Sequence, residues 1–138
     1  MADYFTHFSC LLGVGTPENA ARALDLYNQL SEEGASEEPP SEGFLLSIQP
    51  EHGGSNLWMR DDVTGDPARL IEFVKRCASE FGLKGRWGFQ YADTCSRPRI
   101  NAFGGGGHVL DLATGDTVAW TYTNGWLAEH VAGEGEPT

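Results

Sequence analysis

The chain has 138 residues, a formal net charge of −11, 40% hydrophobic and 11% aromatic residues. That length suits one domain with a core large enough to fold without staples, and the apolar content is too high for a disordered chain. The acidic field sets itself against direct contact with nucleic acid or anionic lipid and favours basic protein surfaces.

The charge is spread unevenly. Residues 1–62 hold two basic and eleven acidic residues, residues 63–103 hold seven basic and four acidic, and residues 104–138 hold five acidic and no basic ones. The apolar run at residues 4–14 lacks a basic leader, contains His7 and Ser9, and is too short to span a bilayer, so neither a signal peptide nor a membrane segment is expected. Cys10, Cys77 and Cys95 are odd in number and widely spaced, which fits a reducing cytoplasm better than a disulfide framework or a zinc ribbon. Cys77 falls on the apolar face of a predicted helix, where a cysteine acts as a small hydrophobe.

In chain order, residues 4–12 read as an aromatic-rich strand that stops at Gly13-Val-Gly15. A helix follows, capped by Thr16 with Pro17 and Glu18 in its first turn, apolar at Ala20, Ala23, Leu24, Tyr27 and Leu30, and ending at Gly34. Residues 35–43 are acidic and proline-rich and read as an exposed loop. Residues 44–49 and 56–60 read as strands joined by a hairpin loop at 50–55.

The clearest local pattern is the second helix: Asp66 caps it, Pro67 opens it, and Leu70, Phe73, Val74, Cys77 and Phe81 recur at helical spacing before Gly82. A strand at 86–91, an irregular stretch from 92 to 107, a hairpin of 108–112 with 117–122, and a short helix at 126–131 complete the chain. The expected fold is α+β, an antiparallel or mixed sheet with two main helices on one face. It begins as a split βαβ, ferredoxin-like arrangement and ends in an added hairpin and short helix. One domain is expected over 1–132, with a polar tail at 133–138.

Chemistry is sparse. Arg97 and Arg99 stand close to the glycine run 104–107, where Gly105 and Gly106 with His108 would suit an anion such as phosphate or carboxylate, although neither a P-loop nor a dinucleotide fingerprint is present. Against this stands a plain loop whose arginines pair with surplus acids. Cys95 and His108, with Asp93 or Asp111 behind the ring, would form a thiol dyad only if thirteen residues of chain brought them into contact. His7, His52, His108 and His130 lack the paired spacing of a zinc site, so no metal and no cofactor is expected. Asp61-Asp62 precede a helix and read as capping or loop residues. Of four tryptophans, Trp58, Trp87 and Trp120 lie on predicted strands and read as sheet residues. Trp126, preceded by Tyr122, is the candidate exposed anchor, with burial in the core as the competing reading.

The stretches Gly65-Asp-Pro67, Arg86-Trp-Gly-Phe-Gln-Tyr91, Thr94-Cys-Ser-Arg-Pro-Arg99 and His108-Val-Leu-Asp-Leu112 together resemble small acidic proteins of unassigned function carried on bacterial plasmids and integrative elements. The resemblance implies no activity and no site. It implies a context in which acidic inhibitors of the antirestriction or anti-CRISPR type are encoded.

Three readings follow. The first is a non-enzymatic inhibitor or adaptor that docks Glu32, Glu33, Glu37, Glu38, Glu42, Asp61, Asp62 and Trp126 on the basic surface of a nucleic-acid-binding or host-defence protein, with DNA mimicry as its sharp form. The second is a small anionic-ligand binder or enzyme using Arg97, Arg99, Gly105, Gly106 and His108, which requires those residues to converge in one pocket. The third is a homodimer built on strand edges and tryptophans.

Overall fold

The computed structural model describes residues 3–36, 43–99 and 102–135. The elements run β1 (Tyr4–His7), β2 (Ser9–Gly13), α1 (Pro17–Ala35), β3 (Leu45–Gln49), β4 (Asn56–Arg60), α2 (Pro67–Phe81), β5 (Arg86–Cys95), β6 (Gly104–Asp111), β7 (Thr117–Tyr122) and α3 (Thr123–Gly135). A single 3₁₀ turn, Glu51–Gly54, fills the β3–β4 connection expected as a plain hairpin loop. The class is α+β, with two antiparallel sheets ordered β1-β5-β6-β7 and β2-β4-β3.

The two sheets share one run of chain. Residues 4–12, expected as one strand, break at Phe8, where the backbone leaves the ladder and its side chain enters the core at 4% exposure. Before the break the run pairs with β5, and after it with β4. Taken together, the order is β5, β1/β2, β4, β3, which is the ferredoxin-like arrangement expected from the alternation of strands and helices. The β6–β7 hairpin then widens the sheet beyond β5.

Both main helices start where capping chemistry dictates. Thr16 accepts from the Asn19 amide and Asp66 from the Ala68 amide, each with proline in the first turn. The second helix stops at Gly82, whose left-handed backbone (φ 63°) closes it as a glycine C-cap does. The first runs one residue past Gly34, which packs inside, and is capped by Ser36. Its buried face is Ala20, Ala23, Leu26, Leu30 and Gly34, so Leu26 takes the place expected for Leu24.

These helices cover one face of the ferredoxin-like half. Leu70, Phe73, Val74 and Cys77 meet Leu12, Leu57, Met59, Trp87, Phe89 and Leu110 in a single core. Tyr27, Phe44 and Phe73 form its aromatic centre, with ring centroids 5.2 to 6.1 Å apart, and the Tyr27 hydroxyl donates to the Phe44 carbonyl. The Trp87 indole N–H donates 2.8 Å to the Leu11 carbonyl and so ties the two sheets together. Arg76 grips Glu33 at 2.8 Å and Glu72 at 3.1 Å, pinning α2 to α1. Solvent screens exposed pairs of this kind, so they position the helices more than they stabilise them.

Two segments differ from expectation. The stretch 92–107, expected to be irregular, is largely strand: β5 continues to Cys95 and β6 begins at Gly104. The last helix is longer than 126–131, starting at Thr123 and running to Gly135, past the tail boundary expected at 133. Among the described residues, no helix is long and apolar enough to cross a membrane.

Candidate functional site

A broad apolar surface is left uncovered at the C-terminal end. On β7, Trp120 and Tyr122 share one face and are exposed, as is Val118, the extra residue where the β6–β7 register shifts. On α3, Trp126 is 55%, Leu127 56% and Val131 62% exposed, and Phe103 beside them is 52% exposed. Phe103, Trp126, Leu127 and Val131 line a groove of about 650 Å³, with Arg99, Ala102, Gly104 and Asn124 completing its walls. The Trp126 ring is held rather than free: His130 lies against it with centroids 4.8 Å apart, and the His130 Nδ1 sits 2.8 Å from the Trp126 carbonyl. The groove is reached through a helix that carries Glu129, within a segment that has no lysine or arginine from 104 onward.

The glycine run explains how α3 comes to lie there. Residues 104–107 are the start of an interior strand, paired register by register with Asp93, Ala92, Tyr91 and Gln90. A Cβ on Gly104 would stand 2.0 Å from the Asn124 side-chain oxygen, and one on Gly106 would stand 2.2 Å from the Thr121 carbonyl. The Thr123 hydroxyl donates 3.0 Å to the Gly105 carbonyl, turning the chain from β7 into α3. Gly105 and Gly106 therefore serve close backbone approach, against the Tyr91 and Thr121 carbonyls. They do not form an anion-cradling loop.

The proposed anion constellation is not gathered. Arg99 lines the α3 groove, whereas His108 lines a separate cleft with Phe89 and Trp120, and the two share no lining residue. Gly105 and Gly106 lie within the sheet between these places, and Arg97 is exposed beyond the end of β5. His108 hydrogen-bonds the Thr117 hydroxyl at 2.8 Å, and burial, reinforced by Lys75, holds its pKa below the usual histidine value. The thiol dyad fails on register: Cys95 is opposite Tyr4 and His108 opposite Phe89, six positions apart along β5, or about 20 Å at ~3.3 Å per residue. Burial pushes the Cys10 and Cys77 thiols up to about 12, so neither is a thiolate near neutral pH.

The expected acidic surface divides. Glu37, Glu38 and Glu42 lie outside the described residues. Glu32 is exposed on the last turns of α1, but Glu33 beside it is taken by Arg76, which holds its carboxyl below the usual range. Asp62 lines a cleft of about 320 Å³ at the C-terminal end of α1 together with Ser31, Gly34 and Ala35. Asp61 turns inward, its side chain 18% exposed, accepting from the Phe8 amide at 2.9 Å. Trp126 borders none of this cleft.

Sequence reading missed what Asp61 does. Its second oxygen meets His7 Nδ1 at 2.9 Å, and His7 Nε2 meets the Thr94 hydroxyl at 3.0 Å, so one imidazole bridges the β4–α2 loop to β5 across β1. The same loop holds Val63 at φ 70°, a left-handed conformation that a β-branched side chain resists, with its side chain exposed. No local pattern marks this array, because His7, Asp61 and Thr94 come from three separate elements. Among the described residues, no three His, Cys, Asp or Glu side chains gather as a metal site. Against models of known protein families, curated proteins and solved structures, the chain finds no match.

Proposed function

We propose that this protein is a non-enzymatic binding module that docks the apolar face of α3 and its groove onto a protein surface rimmed by lysine and arginine. The observation that carries the reading is α3 itself. Every residue of the helix whose burial is described, save Asn124, is exposed, although Trp126, Leu127 and Val131 are large and apolar. A helix of this length gains little from propensity alone and is ordinarily held by packing of an apolar face. A partner that covers Trp126 supplies that packing, and an aromatic anchor in a pocket is the usual centre of such an interface.

Charge selects the kind of partner. Residues 104–138 carry five acids and no lysine or arginine, a balance that favours a partner with a basic rim. Surfaces that hold nucleic acid have that character, which makes an inhibitor or adaptor of a nucleic-acid-binding protein, including a host-defence protein, the fitting class. The literal form of phosphate mimicry is not needed, since Glu33 is neutralised by Arg76 and Asp61 is turned inward.

The test compares the native chain with a Trp126→Ala, Leu127→Ala variant as bait in a lysate, over a salt series, with retained proteins identified by mass spectrometry. The expected result is a protein with a basic surface that is held at low salt, released at high salt, and lost by the variant. Retention of the same proteins by both baits would overturn the reading.

A further inference from the structure

Asp61, His7 and Thr94 stand in a row that the α3 groove does not use. Asp61 Oδ2 lies 2.9 Å from His7 Nδ1, and His7 Nε2 lies 3.0 Å from the Thr94 hydroxyl. With a carboxylate on Nδ1, that nitrogen carries the proton of the neutral ring, and Nε2 is left to accept from the Thr94 O–H. A hydroxyl hydrogen-bonded to a base that a third group orients is the arrangement that turns a weak nucleophile into a reactive one.

Backbone sets the carboxylate. The Asp61 N–H donates 3.1 Å to the Phe8 carbonyl, and the Phe8 N–H donates 2.9 Å to Asp61 Oδ1, which leaves Oδ2 for the ring. Farther along the same loop, Thr64 Oγ1 accepts from the Thr6 N–H at 2.8 Å and the Gly65 N–H donates 2.9 Å to the Thr6 carbonyl. The loop is thus stitched to β1 on both sides of Val63, the residue held at φ 70°. Backbone strain that its surroundings maintain concentrates at functional sites.

The hydroxyl also has a donor next to it. The Ser96 N–H donates 2.8 Å to the Asp3 carbonyl, continuing the β1–β5 register by one pair. Bonded and non-bonded pairs alternate in an antiparallel ladder, so Phe5–Thr94 is bonded, Tyr4–Cys95 is not, and the Cys95 N–H points away from β1. On that side β6 begins only at Gly104, opposite Asp93, and among the described residues the Cys95 amide has no acceptor. The amide that follows a nucleophile is a common donor to the oxygen of an acyl group under attack.

From this array we infer that Thr94 is an acylation site, its Oγ taking the acyl group of an activated ester with His7 as the base and Asp61 as the residue that positions the ring. Oγ attacks the carbonyl carbon while its proton passes to His7 Nε2. The ester C–O bond then breaks, and the departing oxygen leaves with the bond's electron pair and takes the proton from Nε2. Phe5 faces Thr94 across the ladder and stacks on His7 with centroids 6.1 Å apart, which gives a short acyl chain an apolar neighbour. The His7 side chain is 40% exposed, so an ester reaches the ring from solvent. The protein is the acceptor of the group, and the step calls for no turnover. None of the three residues lines the α3 groove.

The probe is p-nitrophenyl acetate, with p-nitrophenolate release followed by absorbance and the acetyl group located by peptide mass spectrometry. A Cys95→Ala background removes a thiol that takes the same group. The expected result is an acetyl group on Thr94, formed about 100-fold more slowly in His7→Gln. Asp61→Asn still accepts from the Phe8 amide but favours the other tautomer of the ring, so it should slow the reaction without lowering its final yield, whereas a merely loosened fold would lower the yield. Thr94→Ser should keep the acetyl group at this position, and the chain unfolded in guanidinium should not acquire it, which keeps the test open if a His7 variant fails to fold. An unmodified Thr94 in the native fold, an equal rate in a folded His7→Gln, or an equal yield on the unfolded chain overturns the inference. Because the Trp126→Ala, Leu127→Ala variant should be acetylated as the native chain is, this result and the partner-docking test fail independently.

Discussion

Trp87 and Trp120 stand on the same face of the same four-stranded sheet. Trp87 is two residues from Phe89, Phe89 faces His108 across the β5–β6 ladder, and His108 faces Trp120 across β6–β7. One indole is 9% exposed and the other 70%. Two helices reach across the ferredoxin-like half as far as β5 and the end of β6, and the hairpin extends past them. Burial is therefore decided by what lies above a strand, and alternation along the strand reports only which way a side chain points. The uncovered half has the same chemistry and no cover among the described residues, and the proposed docking rests on that difference.

The contrast can be broken by mutation. Phe73→Ala empties the aromatic centre and should cost about 3–5 kcal/mol in urea denaturation, whereas Trp120→Ala should stay within about 0.5 kcal/mol. A loss above about 2 kcal/mol for Trp120 would mean that the hairpin face is packed after all. Gly106→Ala comes next. Its Cβ meets the Thr121 carbonyl, and the resulting overpacking should cost about 1–3 kcal/mol, with amide exchange faster in β6 and β7 than in α2. Uniformly faster exchange would show that the hairpin and the helical half open as one unit.

The smallest expected effect sharpens the same question through pH. His108 has a folded-state pKa lowered by burial and by Lys75, so the unfolded chain takes up its proton first as pH falls. Its contribution is present above the ordinary histidine value of ~6.5 and is lost as pH drops through and below it. Thermal melts between pH 7 and 5 should fall less steeply for His108→Gln than for the native chain. Identical slopes would show that β6 is already open when the core melts.

What could be read from sequence was local. Asp66, Pro67 and Gly82 bound a helix whose apolar positions lie within one another's turns, so the cap, the period and the stop each have their cause a few residues away. The alternation of strands and helices carried the α+β class and the ferredoxin-like order, because short connections leave few ways to pair them. The glycine run, the acids and the tryptophans were a different matter. Gly106 is needed because of the Thr121 carbonyl, and Gly105 because of the Tyr91 carbonyl. Asp61 is turned inward because His7, far earlier in the chain, waits between it and Thr94. Trp120 is bare because the helices stop short of β7. Sequence alone determined which elements form and which faces are apolar, since propensity, capping and periodicity act over a few residues. Tertiary structure alone decided which apolar face is covered, which carboxylate is spent and which glycine is indispensable, since each depends on an atom brought near from elsewhere in the chain.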